Sequence, residues 1–81
     1  MNIQEKNKII RKINYIIKFR KISKPSFNRR ELCTEMTLSY KTLITMFSDK
    51  QKKWMNRSIA KINMYIDKFE KQYGPINLDA V

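Results

Sequence analysis

The sequence predicts an all-α protein, a compact bundle of four to five helices that contains a helix-turn-helix. Three observations carry this. One Gly and two Pro among 81 residues are too few turn-formers for a sandwich or barrel. Apolar residues recur at steps of three and four along most of the chain. Helix-start signals stand immediately before two of these runs. A composition of 42% hydrophobic and 31% charged residues fits one globular domain, assigned to residues 1–75 with a short tail at 76–81. A chain of this length buries only about 60% of the surface its unfolded form exposes, so every long apolar stripe is needed for the core.

The first stripe places apolar residues at 3, 9, 10, 13, 16, 17, 19 and 22, with Lys6, Lys8, Arg11, Lys12 and Lys18 on the remaining face. It predicts a helix over roughly residues 4–21. Pro25 then disfavours helical geometry at Lys24. Asn28 and Glu31 have the spacing of a capping box, and Phe27 is placed to staple onto Leu32, so a second helix should begin at Arg29. The same signature returns at Ser39, a good cap with Leu38 before it and Leu43 as the staple partner. A third helix should run from Tyr40 to about Ser48. Only Thr37, Leu38 and Ser39 separate the two, the spacing of a helix-turn-helix. A last stripe, Met55, Ile59, Ile62, Ile66, Phe69 and Tyr73, predicts a fourth helix over about 55–73, stopped by Gly74 and Pro75.

Eighteen Lys and Arg against seven Asp and Glu give a net charge of +11, more than solubility needs. Eight cations and one anion fall in residues 1–27, five cations and no anion in 50–61, and residues 62–81 are nearly balanced. The field therefore has two positive lobes and a neutral end. Nucleic acid is the first candidate partner and an anionic membrane surface the second. The segment "IIRKINYIIKFRKI" is basic and amphipathic, but the capped helices downstream claim its isoleucines for a core. The start of the chain has no run of about seven apolar residues and no small-residue cleavage site, so it reads as neither signal peptide nor membrane span, and no membrane partner is expected.

With no His and a single Cys33 there is no internal disulfide and no Cys/His cluster for zinc, and an oxidising compartment is not indicated. No metal or cofactor is expected, and the location expected is cytoplasmic. Seven scattered carboxylates without His offer no acid–base pair, and no glycine loop cradles phosphate, so the chain does not read as an enzyme.

Residues 29–48 resemble the twenty-position helix-turn-helix pattern of lambda-repressor-like and Cro-like proteins. That pattern wants apolar residues at its fourth, eighth, tenth, fifteenth and eighteenth positions, where Leu32, Met36, Leu38, Leu43 and Met46 stand. It wants a small residue at the fifth, where the helices cross, and Cys33 stands there as a packed thiol. The likeness extends weakly over residues 8–66. Three positions depart from it: Thr37 replaces the usual turn glycine, Asp49 stands where another glycine is common, and Trp54 where a helix cap is usual. Thr37 is a β-branched residue at a position that asks for positive φ. Trp54 could cap the core or be an exposed anchor.

The resemblance implies that the helix beginning at Tyr40 lies in the major groove, with Ser39, Tyr40, Lys41 and Thr45 facing the bases. Lys41 suits guanine O6 and N7, and Thr45 offers a hydroxyl and a methyl. Ile44 shares this face. Arg29 and Arg30, beside the backbone N–H groups of a helix start, and Ser48, Lys50, Lys52 and Lys53 in the following loop are the expected phosphate contacts. For the basic residues of helix one a solvated face is preferred, since the family turns that helix away from the groove. Met36, Met46 and Met55 read as core.

The expected function is a small DNA-binding transcriptional regulator, a repressor-like protein of phage or mobile-element type, binding double-stranded DNA as a homodimer. Phe69, Tyr73, Ile76 and Leu78, at the electrically neutral end, are the expected dimer surface. The alternative is an interaction protein of the same fold that binds and inhibits a host protein or a protein–nucleic-acid complex.

Overall fold

The structure is a computed structural model and describes residues 1–49 and 51–80. Four α-helices, α1 (Ile3–Ser23), α2 (Arg29–Met36), α3 (Tyr40–Ser48) and α4 (Asn56–Tyr73), are followed by a 3₁₀ turn at Leu78–Ala80. Each start matches the expected one to within a residue, which is the precision that capping chemistry allows.

Helix α1 begins where the Asn2 side chain accepts a hydrogen bond from the Glu5 amide at 2.8 Å, and it ends at an extended Lys24, one residue before Pro25. Ile9, Ile13, Ile16 and Ile17 are its buried stripe. Ile3 and Ile22 share the spacing but lie at the ends and are exposed, Ile22 by 81%. Lys6, assigned by periodicity to the solvent face, is instead buried. Its Nζ donates to the Lys52 carbonyl at 2.9 Å and sits 5.4 Å over the Trp54 ring, so the aliphatic stem covers apolar surface while the ammonium group finds a carbonyl and an aromatic face.

At α2, Asn28 caps by accepting from the Glu31 amide at 3.1 Å, but the reciprocal half of the capping box is not made. The Glu31 carboxylate takes Lys24 at 2.7 Å instead. Phe27 and Leu32 are both fully buried, as a hydrophobic staple requires. The helix closes with the two bonds of a Schellman motif, Leu38 N–H to the Cys33 carbonyl at 2.9 Å and Thr37 N–H to the Thr34 carbonyl at 3.2 Å. Thr37 occupies the left-handed position of that motif at φ 57 and ψ 44, where glycine is usual. Lys61 Nζ from α4 donates to the Thr37 carbonyl at 2.7 Å, tying the turn to the bundle. Cys33 is 2% exposed, and burial pushes its thiol pKa up, so it packs as a small apolar group.

Ser39 precedes α3 in extended geometry, but its side chain makes no capping bond, contrary to expectation. Leu43 and Met46 bury the inner face of α3. Trp54, whose position left two readings open, belongs to the core: it is 3% exposed and its indole N–H donates to the Met46 carbonyl at 3.1 Å, satisfying one of the free carbonyls near the end of α3. Met55, counted with the core stripe, precedes α4 and is 65% exposed. Ile62, Ile66 and Phe69 carry the buried stripe of α4, with Ile59 half-buried. Gly74, at φ 96, ends the helix, and the Ile76 amide then donates to the Glu70 carboxylate at 3.0 Å. This bond, with Lys12 3.4 Å away, holds the Glu70 pKa below the usual carboxylate range.

Aromatic rings close α1 against α4. Phe69 meets Phe19 edge-on at 5.1 Å and Tyr15 at 6.4 Å, and Tyr73 completes the cluster 4.7 Å from Phe19. One polar network ties three helices. Arg20 of α1 forks onto Glu35 of α2 at 2.8 and 3.0 Å, and Tyr65 of α4 donates to the same carboxylate at 2.5 Å. The guanidinium holds the Glu35 pKa down, while burial and the carboxylate push that of Tyr65 up.

Candidate nucleic-acid interface

The α2–turn–α3 unit is held from within by Leu32, Cys33, Met36, Leu43 and Met46, which fixes what α3 turns outward. Ser39, Lys41 and Thr45 are exposed, while Tyr40, Ile44 and Phe47 are half-buried. The Ser39 hydroxyl is exposed and makes no capping bond to its own helix. A lysine, two hydroxyls and a methyl thus stand exposed on α3 and its cap residue, while the opposite side of the helix is buried.

Beside this face a groove of about 280 Å³ lies between α3 and the start of α4. It is lined by Lys41 and Thr45 from α3, Lys52 and Lys53 from the loop, the Trp54 ring and, as its one acid, Asp49. The structure therefore brings two of the expected base-reading residues and two of the expected phosphate contacts onto one surface. The loop is held in place from behind by the Lys6 bond to the Lys52 carbonyl, which leaves the exposed side chains of Lys52 and Lys53 outward. Lys50 lies outside the described residues.

The two arginines at the start of α2 part company. The Arg30 guanidinium lies 4.2 Å over the Tyr40 ring, so Tyr40 acts as a platform that carries a cation to the start of α3. Arg29 turns toward α1, donating to Asn14 Oδ1 at 3.4 Å with its guanidinium 5.5 Å over Phe47. Ser48 is exposed but donates its hydroxyl to the Ile44 carbonyl, so as an anion donor it must first leave its own helix.

The expected dimer surface does not hold together as a set. Phe69 is 6% exposed and belongs to the core. Ile76 and Leu78 are half-buried, because the tail folds back: the Leu78 carbonyl accepts from Arg11 at 3.2 Å and the Ile76 amide is held by Glu70. Tyr73, half exposed, is the only one of the four with substantial free surface. The misassignment follows from counting Met55 into the core, which made Phe69 look surplus.

Two contributors were not foreseen. Asn14 joins α1 to Arg29, and Lys6 supports the loop from within the core. Asn14 left no signal, since an exposed asparagine in a helix has no distinguishing pattern. Lys6 did leave one: at three and seven residues before Ile9 and Ile13 it sits on the core side of α1. Among the described residues no helix is long and apolar enough to cross a membrane. No family model matches the chain, and no curated protein and no solved structure matches it either.

Proposed function

We propose that the protein is a small DNA-binding transcriptional regulator of the lambda-repressor-like and Cro-like kind, with α3 lying in the major groove of duplex DNA. The observation that supports this reading best is the outward face of α3. Lys41 and Thr45 open onto a groove whose other wall carries Lys52 and Lys53, while Leu43 and Met46 anchor the opposite side. Base-edge donors and phosphate donors on one immobilised surface are what sequence reading requires, since phosphate contacts set register and base contacts set specificity. Lys41 and Thr45, with Ser39, would reach base edges, Tyr40 would position Arg30 on a phosphate, and Lys52 and Lys53 would hold the backbone. Selection from a random duplex pool tests it. A recovered motif supports the regulator, and binding with no sequence preference removes base reading from α3.

A second reading, a protein that captures a host partner, is favoured by one other feature. A groove of about 520 Å³ between α2 and α4 is lined by Met64, Tyr65, Phe69 and Tyr73, with Met64 68% and Tyr73 50% exposed. The same face is the remaining candidate for homodimer contact, through Tyr73. Light-scattering mass with and without a selected site separates these: a monomer on DNA disfavours the dimer, and a protein with no duplex affinity favours capture.

A further inference from the structure

The basic residues of α1 were assigned to solvent, but the structure joins them to the start of α2. Arg11, Asn14, Lys18 and Lys21 are all exposed, and their spacing of three, four and three residues puts them on one face of the helix. Asn14 in the middle of that strip accepts the hydrogen bond from Arg29, so the strip and the first residue of α2 form one surface. The single carboxylate of α1, Glu5, stands in the first turn, away from the strip. The nearby acids of α2 are engaged, Glu31 with Lys24 at 2.7 Å and Glu35 with Arg20 at 2.8 Å. Lys18 and Lys21 take part in no ion pair among the described residues. Arg11 gives one nitrogen to the Leu78 carbonyl and keeps four other donors.

We infer that α1 is a second backbone-binding element: its Arg11–Lys18–Lys21 strip, continued through Asn14 to Arg29, tracks the phosphates of duplex DNA flanking the segment that α3 reads. From Arg11 to Lys21 the helix rises about 15 Å, against which a duplex presents about nine phosphate charges over both strands. The occupant is a polyanion rather than a lipid surface because the apolar stripe of α1, Ile9, Ile13, Ile16 and Ile17, is buried in the bundle, and its exposed isoleucines, Ile3 and Ile22, stand apart at the two ends of the helix. Contacts of this kind add affinity without sequence preference. The inference rests on the DNA-binding reading above.

The test compares two pairs of neutralised lysines in the full chain, Lys18→Gln/Lys21→Gln on the strip and Lys68→Gln/Lys71→Gln on α4, measuring affinity for a 30-bp random-sequence duplex against salt concentration. Each phosphate contact contributes about 0.9 to the slope of log affinity against log salt, so the strip pair should lower it by about 1.8 and the α4 pair should leave it unchanged. Equal losses in both pairs would show a general charge effect and overturn the inference, as would an unchanged slope in the strip pair. A strip pair that keeps the duplex slope but loses binding to vesicles of phosphatidylserine would assign the strip to membranes instead and overturn it too. If the wild-type chain shows no salt-dependent duplex binding at all, the DNA-binding reading itself fails and takes this inference with it.

Discussion

Replacing Thr37 by glycine should stabilise this protein, and the expected amount follows from one backbone position. Thr37 sits at φ 57 and ψ 44, where an L-residue brings its Cβ against the following carbonyl at about 1–2 kcal/mol. β-branching places it at the upper end of that range. Glycine removes the clash but adds unfolded-state freedom worth roughly 0.4–1 kcal/mol. The side chain is exposed, so no packing is lost, and the two bonds that fix the residue, Thr37 N–H to Thr34 and Lys61 to the Thr37 carbonyl, both use the backbone and survive. The net gain is about 1 kcal/mol, or about 4–8 °C in Tm for a domain of this size. Urea unfolding should show a raised midpoint with the slope unchanged, a change in stability without a change in the surface exposed on unfolding. Thr37→Asn should gain less, because asparagine tolerates the left-handed region only partly, and Thr37→Ala should gain least, because it keeps a Cβ. A Thr37→Gly variant less stable than the wild type, or one matched by Thr37→Ala, would show that the strain ascribed to this turn is not there.

Lys41→Ala and Thr45→Ala should each change which duplexes are selected, by about 1–3 kcal/mol per lost base contact, with unfolding unaffected; equal losses on every sequence would take α3 out of base reading. Lys52→Gln should instead weaken all duplexes alike and lower the salt slope by about 0.9, and an unchanged slope would remove the loop from the interface. Because its folded-state pKa is depressed, Glu35 contributes stability that is fully present above the unfolded value of about 4.3 and is lost as pH falls through the folded value. Denaturation measured between pH 7 and pH 2 should therefore be less acid-sensitive in Glu35→Gln, though the partly exposed pair makes the difference small; identical profiles would show that the network carries no linkage. Phe69→Ala should cost about 3–5 kcal/mol of stability, enough to threaten a domain this small, whereas Tyr73→Ala should leave the fold and, where Tyr73 mediates a dimer, lower the mass in solution.

The helices were legible because their boundaries are chemical. Asn28, Pro25 and Gly74 act within a turn of where they stand, Leu32 and Leu43 are marked by the staples at the helix starts, and the Ile62 stripe needs nothing beyond periodicity. Thr37 was legible as a left-handed residue only through the helix-turn-helix pattern, since nothing in its own chemistry favours that conformation. Errors came where an assignment depended on which of two periodic residues the bundle reaches. Met55 and Phe69 fit the same α4 stripe, but the N-terminal end of the stripe projects past the core and the C-terminal end meets Phe19 and Tyr15, so burial shifts toward Phe69. Ser39 shows the same limit at a single residue. A serine before a helix announces a start, while the rotation of its hydroxyl is set by surroundings that the sequence does not display.

The candidate site was legible as a list and not as an arrangement. Lys41, Thr45, Lys52 and Lys53 share a groove only because Trp54 folds in under them and bonds the Met46 carbonyl, and because Lys6, 46 residues before Lys52, holds the loop by its carbonyl. Both supports use residues that a local reading does not place, a tryptophan left open between core and exposed anchor and a lysine assigned to solvent. Their placement also links stability to the proposed function. A change at Lys6 alters no group that would touch DNA, but it frees the loop that carries Lys52 and Lys53 and so should weaken phosphate contact ahead of base selectivity. Lys41 and Thr45, seated on a helix whose Leu43 and Met46 are buried and whose Met46 carbonyl is bonded from Trp54 rather than from Lys6, would keep their direction. The separation of the two effects would follow from the architecture: α3 rests on the core directly through Leu43 and Met46, while the loop that carries Lys52 and Lys53 rests on it through Lys6 and Trp54.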